Sequence, residues 1–192
     1  PWLDVHAACI DFIHTLDVPD CETIDHKGTF FPGSSIGNFD PEDAIKLLRR
    51  LAEMMDGNGQ LLIGVDLKKD KDILNAAYND AAGVTAEFNL NVLNRIRDEL
   101  DSNIDPGSFE HDAFYNSRQG RIEMHLVSRR PQSVRIEDRV FEFGEGETIH
   151  TENSYKYSIE EFAEMAAAAG FRQQRVWTDE SHLFSVQLLQ TA

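Results

Sequence analysis

The run Leu61–Leu67 (LLIGVDL) constrains this chain most, because it is almost unbroken in apolar residues and bounded by turn signals on both sides. That pattern predicts a short strand buried on both faces of a parallel sheet. A helix precedes it. Asp40 can cap, Pro41 suits the first helical position, and Glu42 and Asp43 suit the positive end of the helix dipole. Ala44, Ile45, Leu47, Leu48, Leu51, Ala52 and Met55 give that helix a broad apolar face, and Asp56-Gly57-Asn58-Gly59 ends it. Before the helix lies a further apolar run, Gly28 to Ile36 (GTFFPGSSI). Strand, helix, strand in that order predicts an α/β crossover.

Outside this unit the periodicity changes. Val5 to Phe12 (VHAACIDF) reads as a short buried strand. Residues 72–100 read as helix, broken near Gly83. Between Phe109 and Phe143 the apolar spacing becomes that of strands, which predicts an antiparallel sheet embedded in an α/β chain. Ser158 and Glu161 form a capping box for a helix ending at Gly170, followed by strands at Arg172–Thr178 and Leu183–Leu189.

Charge excludes some partners. With 34 acidic against 18 basic residues the formal net charge is -16. A field of that sign repels phosphate backbones and anionic lipid, so neither nucleic acid nor a membrane surface is an expected partner. No apolar run reaches the roughly 20 residues that a membrane-spanning helix needs. Cys9 and Cys21 lack CxxC spacing and read as reduced thiols of a cytoplasmic protein. The histidines form neither HxxxH nor HxH, so no metal site is expected. Gly144-Glu145-Gly146 reads as a hairpin turn rather than a phosphate cradle, since no helix follows.

Gly33-Ser34-Ser35-Ile36-Gly37-Asn38 is the most informative phrase. It lies between a strand and a helix start, where open α/β sheets bind ligands. Glycines let the backbone approach a ligand, and Asn38 can donate and accept. An ordinary βα turn with Asn38 and Asp40 as caps fits the same spacing equally well.

Several longer phrases decide between these readings. PGSSIGNFDPEDA, LLIGVDLKKD, AAYNDAAGVTAEFNLNVLNRI, GRIEMHLVS and GETIHTENSYKY occur in this order. Together they resemble the signature of the histidine N-alpha-methyltransferases of ergothioneine biosynthesis, from about Val5 to Leu189. The resemblance implies a Rossmann-like SAM methyltransferase core with an inserted α+β substrate-binding domain. The core would comprise residues 1–70 and 156–192, and the insertion residues 71–155. A helix followed by a terminal strand pair is how many such sheets end.

The resemblance also implies site residues. Asn38 would hold the substrate amine and carboxylate region and be the catalytic position, with Gly33 lining the same pocket. Tyr78 would bind the substrate carboxylate, Glu152 and Ser154 the imidazole, and Met124 the apolar wall beside that ring. Asp11 and Phe12 would meet the adenine of S-adenosyl-L-methionine, the co-substrate. Methyl groups would pass to the α-amine of L-histidine in three rounds, giving a betaine. Without the resemblance, Tyr78 and Met124 read as core, and Glu152 and Ser154 as a surface pair on one strand face.

In-line displacement at a sulfonium needs no protein nucleophile, only a neutral amine held in line with the methyl group. No residue reads as a general base, and the proton is expected to leave to solvent. The glycine-rich cofactor segment, the later ribose-binding acid and the N-terminal tyrosines of the family are not found ahead of Val5. By the family strand order, the first two strands would lie between those of VHAACIDF and GTFFPGSSI. A truncated chain of this kind is expected to bind SAM weakly, to be inactive alone, and to expose a sheet edge that favours homo-oligomers. The alternatives are a non-catalytic histidine- or amino-acid-binding fragment and a methyltransferase acting on another small amine.

Overall fold

A computed structural model describes residues 5–13 and 26–192. The chain forms two compact units: the described residues up to Leu67 with Tyr157–Ala192, and Lys68–Lys156. Cys21 lies outside the described residues.

The first unit is built on a four-stranded sheet. Strand β1 (Lys27–Phe31) leads through a 3-10 turn (Ser35–Asn38) to helix α1 (Pro41–Met54), and then to β2 (Gly59–Asp66). The chain re-enters this unit at Tyr157, runs through a helix (Ile159–Ala168), and ends in two strands (Phe171–Thr178 and Phe184–Thr191). With the second unit's elements counted between them, these are α4, β8 and β9. The sheet order is β1-β2-β9-β8; β1 and β2 run parallel, and the other pairs are antiparallel. The crossover is therefore as the sequence predicts, but the sheet is mixed. Its two faces also differ. Leu61, Ile63 and Val65 are fully buried on one face, whereas Phe30, beside Leu62 on the other, is 69% exposed. On the covered face β9 contributes Ser185, Gln187 and Leu189, all fully buried. The polar pair is satisfied: Ser185 Oγ donates to Val65 O, and Gln187 Nε2 donates to Ser185 Oγ. The Ser158–Glu161 capping box opens α4 with both reciprocal bonds present.

The expected strand over Val5–Phe12 does not form. Residues 5–13 are exposed, with a turn at Phe12–Ile13 in place of a ladder. A strand needs a neighbour for its backbone groups, and no other described segment pairs with this one. Instead, Asp11 Oδ1 accepts the Ile13 N–H at 3.1 Å, and Arg50 donates to the Ile13 carbonyl.

The second unit holds helices α2 (Lys71–Tyr78) and α3 (Val84–Glu99) over a three-stranded antiparallel sheet of β3 (Phe109–Asn116), β4 (Arg121–Ser128) and β7 (Thr148–Tyr155). Between β4 and β7, strands β5 (Gln132–Ile136) and β6 (Arg139–Phe143) form a separate hairpin. The single sheet expected over 109–143 is thus divided, and β4 takes its second neighbour from further along the chain. Gly144–Glu147 is a turn, but it joins β6 to β7, which pairs with β4 and not with β6, so it closes no hairpin. Leu93, Ile104, Phe109, Leu126 and Val134 form one buried cluster, and Leu74, Ala113, Ile122 and Met124 a second.

Candidate active site

In the second unit, the position of Tyr78 is set by how α2 is fastened to the sheet. Asp70 caps the helix, its Oδ1 accepting from Asp72 N at 2.8 Å. Asn75 Oδ1 accepts the Tyr115 N–H, and Asn79 Nδ2 donates to Ala113 O, each at 2.8 Å. A third tie is at His111, whose Nε2 lies 2.8 Å from Tyr78 O. Asn89 Nδ2 stands 3.0 Å from His111 Nδ1. An amide nitrogen only donates, so the ring proton sits on Nε2, and His111 donates to the last carbonyl of α2. Leu74 and Tyr78 consequently pack against Ala113, Ile122 and Met124.

Strand β7 presents its polar groups to this same apolar face because of a bulge. Met124 pairs with Glu152 and His125 with His150, so Thr151 is the extra residue. By strict alternation His150, Glu152 and Ser154 would share a face. The bulge breaks that parity: Glu152 lies beside Met124 and Ser154 beside Ile122, while His150 accompanies His125 on the opposite face. Buried Asn89 of α3 pins the bulge, accepting from Thr151 Oγ1 at 2.7 Å and donating to His125 O at 3.1 Å.

At the centre of this face, Tyr78 Oη donates to Ser154 Oγ at 2.9 Å. Lys156, 2% exposed, donates to Tyr78 Oη and Ser154 Oγ at 2.8 Å each, and its ammonium lies 4.8 Å from the Tyr78 ring centroid. Half-buried Glu152 has its pKa raised by burial, an effect that the Lys156 charge opposes. The arrangement is an apolar floor of Ile122 and Met124 beside a carboxylate acceptor, a hydroxyl pair shared by α2 and β7, and a buried cation just past the end of β7. Such a set suits a small, flat, polar ring.

The remaining expected residues belong to the first unit. Gly33 and Ser34 both have positive φ, 76° and 58°, after β1, and Ser34 Oγ accepts the Asp66 N–H at 2.8 Å. Asn38 closes the 3-10 turn, is exposed, and makes no side-chain hydrogen bond among the described residues. It is not the cap of α1, a place that Asp40 takes. The Phe12 ring, 40% exposed, meets Phe31 and Phe39 edge-on at 6.2 and 6.5 Å. Phe12 and Asp11 therefore lie beside the loop that follows the C-terminal end of β1.

Lys156, Asn89 and His111 were not among the residues expected from sequence. Lys156 was within reach of the same argument, because it follows Glu152 and Ser154 at the strand period of two. Asn89 and His111 give no sequence signal, since their roles depend on contacts made across 22 to 62 residues.

On the opposite face, ligand atoms of Glu123, His125 and His150 lie within 4.8 Å of one another. His125 is stacked between Phe114 and His150, with the rings 11° and 15° from parallel. Lone pairs of parallel rings do not converge on one point. Glu123 is also bound to Arg121 at 2.8 Å and to Asn116 at 3.0 Å. Burial pushes the Glu123 carboxyl up, but these bonds together hold it below its ordinary value. The group is arranged as a stacked column beside an ion pair.

Comparison with known proteins adds the following. A family profile described as "Histidine-specific methyltransferase, SAM-dependent" matches residues 1–191. A "Histidine N-alpha-methyltransferase" of Mycolicibacterium smegmatis is 40% identical over 193 residues, covering 98% of this chain and 59% of its own length. The protein of the same name from Mycobacterium tuberculosis is 39% identical, covering 97% of this chain and 58% of its own. "Ergothioneine biosynthesis protein 1" of Neurospora crassa is 31% identical over 76% of this chain and 17% of its own length. The chain thus spans less than three fifths of the length of the two bacterial relatives. A solved S-adenosylmethionine-dependent methyltransferase of Clostridium acetobutylicum aligns with a TM-score of 0.49 at 12% identity, over 96% of this chain and 64% of its own.

Proposed function

Since the chain belongs to the family of SAM-dependent histidine-specific methyltransferases, we propose that it is part of an enzyme that methylates the α-amine of L-histidine within ergothioneine biosynthesis. The observation that carries this reading is the joint placement of Tyr78, Met124, Glu152 and Ser154 on one face of the second unit's sheet. S-adenosylmethionine supplies a methyl group already made electrophilic by its sulfonium. A C–N bond to the amine forms as the C–S bond breaks, the thioether leaves with the electron pair, and the amine proton passes to solvent.

The chain's own residues bind and orient. Met124 and Ile122 form the floor under the imidazole. Glu152 accepts a ring N–H, and Ser154 meets the other ring nitrogen. Tyr78 holds the hydroxyl network and the carboxylate end. Asn38, whose side-chain amide makes no hydrogen bond among the described residues, would orient the amine, and Gly33 would let the backbone come close. Asp11 and Phe12 fit an adenine, as a carboxylate acceptor for the exocyclic amine and an aromatic edge for the ring. A wrong side chain would leave the half-buried Glu152 carboxylate and the Ser154 hydroxyl proton without the ring nitrogens they meet, which is the basis of selectivity.

The same reading places the protein in the cytoplasm, where exposed Cys9 would stay reduced. It also makes β1, which pairs only with β2 among the described strands, an edge open to self-association. No helix among the described residues is long and apolar enough to cross a membrane.

Calorimetric titration with L-histidine tests the proposal. Glu152→Ala and Ser154→Ala should each weaken binding about ten- to a hundredfold, the worth of a hydrogen bond to a charged or buried partner. Equal affinity for histidine and leucine, or no effect of either substitution, would overturn it.

A further inference from the structure

The buried cation behind the hydroxyl pair is the feature that the assignment above leaves unused. A lysine ammonium has three donors and no lone pair. Lys156 directs two of them to Tyr78 Oη and Ser154 Oγ, at 2.8 Å each. Tyr78 gives its single proton to Ser154 Oγ at 2.9 Å. Both lone pairs of the Ser154 hydroxyl are then filled, and its own proton has no acceptor among the described residues. Were the Tyr78–Ser154 bond reversed, the Tyr78 proton would be the one left over. That reversal would also open a lone pair on Ser154 Oγ; the observed bond, together with Lys156, fills both, so Ser154 faces a ligand as a donor.

Glu152, two residues earlier on the same strand face, supplies the complement, because an ionised carboxylate only accepts. The two groups read a ring that has one N–H and one bare nitrogen. Imidazolium has two N–H groups and no lone pair, so its second N–H would point at a hydroxyl proton with an ammonium behind it.

We propose that Lys156, acting through Ser154 and Tyr78, makes this site select the neutral imidazole ring, with its N–H on Glu152 and its bare nitrogen on Ser154. The inference rests on the histidine reading and adds the protonation state of the substrate. Lys156 is a positioning residue: it orients the hydroxyl that meets the ligand.

Nitrogen-15 NMR of ring-labelled L-histidine bound to the 192-residue chain reads this directly. The measurement is made at about pH 5, well below the ordinary imidazole pKa of about 6.5, where free histidine is mostly imidazolium. The wild-type complex should give one protonated and one bare-nitrogen resonance. Lys156→Met has similar length but no donor or charge; it frees a Ser154 lone pair, and the bare-nitrogen resonance should be lost. Lys156→Arg keeps the donors and should retain the wild-type pattern. Two protonated nitrogens in the wild-type complex overturn the proposal, as does an unchanged pattern in a Lys156→Met protein with native circular dichroism. The wild-type spectrum decides alone if the methionine variant does not fold. Absence of any bound histidine signal from wild type would instead refute the histidine reading itself, and this inference with it.

Discussion

Gly64→Ala probes the loop after β1 from behind. A Cβ at Gly64 would lie 2.9 Å from Phe184 Cζ and 3.1 Å from Gly33 N. Carbon atoms rest at about 3.5–4.0 Å, so both contacts are compressed. The Phe184 ring can tilt. The Gly33 nitrogen is backbone, held at φ 76° in a turn that Ser34 Oγ ties to Asp66. Relief therefore requires the loop to move, and overpacking of this kind costs about 1–3 kcal/mol. With a urea m-value of about 2 kcal/mol/M, the midpoint should fall by about 1 M at the centre of that range. Trp177 of β8, in the same unit, serves as the fluorescent probe. Gly28→Ala is the control, because a Cβ there meets nothing within 4 Å and Gly28 is not among the positive-φ glycines; it should be neutral or gain a few tenths of a kcal/mol. The reasoning is refuted if Gly64→Ala stays within about 0.5 kcal/mol of wild type, or if the two alanines cost the same.

Three further outcomes are expected. Asn89→Ala should destabilise the chain by about 2–4 kcal/mol, since it breaks three hydrogen bonds; combined with Thr151→Val in a double-mutant cycle it should show a coupling of about 1 kcal/mol, and strict additivity would disprove the pinning of the bulge. Glu152 has its folded-state pKa raised by burial, so its contribution to stability is present below the ordinary carboxylate pKa and lost as pH rises through the folded value. Glu152→Gln should accordingly be more stable than wild type at pH 7, with the gain vanishing in acid, while binding histidine less well; urea titrations at both pH values check the sign. Asp80 accepts from Thr85 N and, less strongly, Val84 N at the start of α3, and these bonds lower its pKa to about 2. Its contribution is present above the ordinary Asp pKa and lost as pH falls through the folded value, so Asp80→Asn should remove that acid-dependent step from amide exchange in the first turn of α3.

Local rules carried the sequence reading where structure is locally determined. The Pro41 start of α1, the break near Gly83, and the reciprocal Ser158–Glu161 cap are visible because their causes lie within a few residues. Val5–Phe12 has the composition of a buried strand, but a strand also needs a neighbour, and composition does not report one. Leu61–Leu67 was expected to be covered on both sides; Phe30 at 69% exposure shows that burial belongs to the sheet and not to the run. At the site, alternation placed Glu152 and Ser154 together correctly and would have added Lys156. It would also have put His150 with them, because a bulge is set by pairing with β4 and by Asn89 from another helix. The roles proposed for Gly33, Asn38 and Tyr78 come from ordered resemblance; spacing alone leaves Gly33 and Asn38 ambiguous and reads Tyr78 as core.

The extra residue in β7 makes this strand unusually sensitive to one kind of genetic change. Thr151→Ser keeps the hydroxyl on Asn89 and Met124 O, so such an allele should pass unnoticed. An in-frame loss of the Thr151 codon would restore regular pairing, and a one-residue slip reverses every side chain beyond it. Either Ile149 would leave its place beside Leu126, or Glu152, Ser154 and Lys156 would turn to the opposite face of the sheet. A deletion at Thr151, where a serine would be tolerated, would then resemble a null allele more closely than most substitutions of the proposed binding residues themselves.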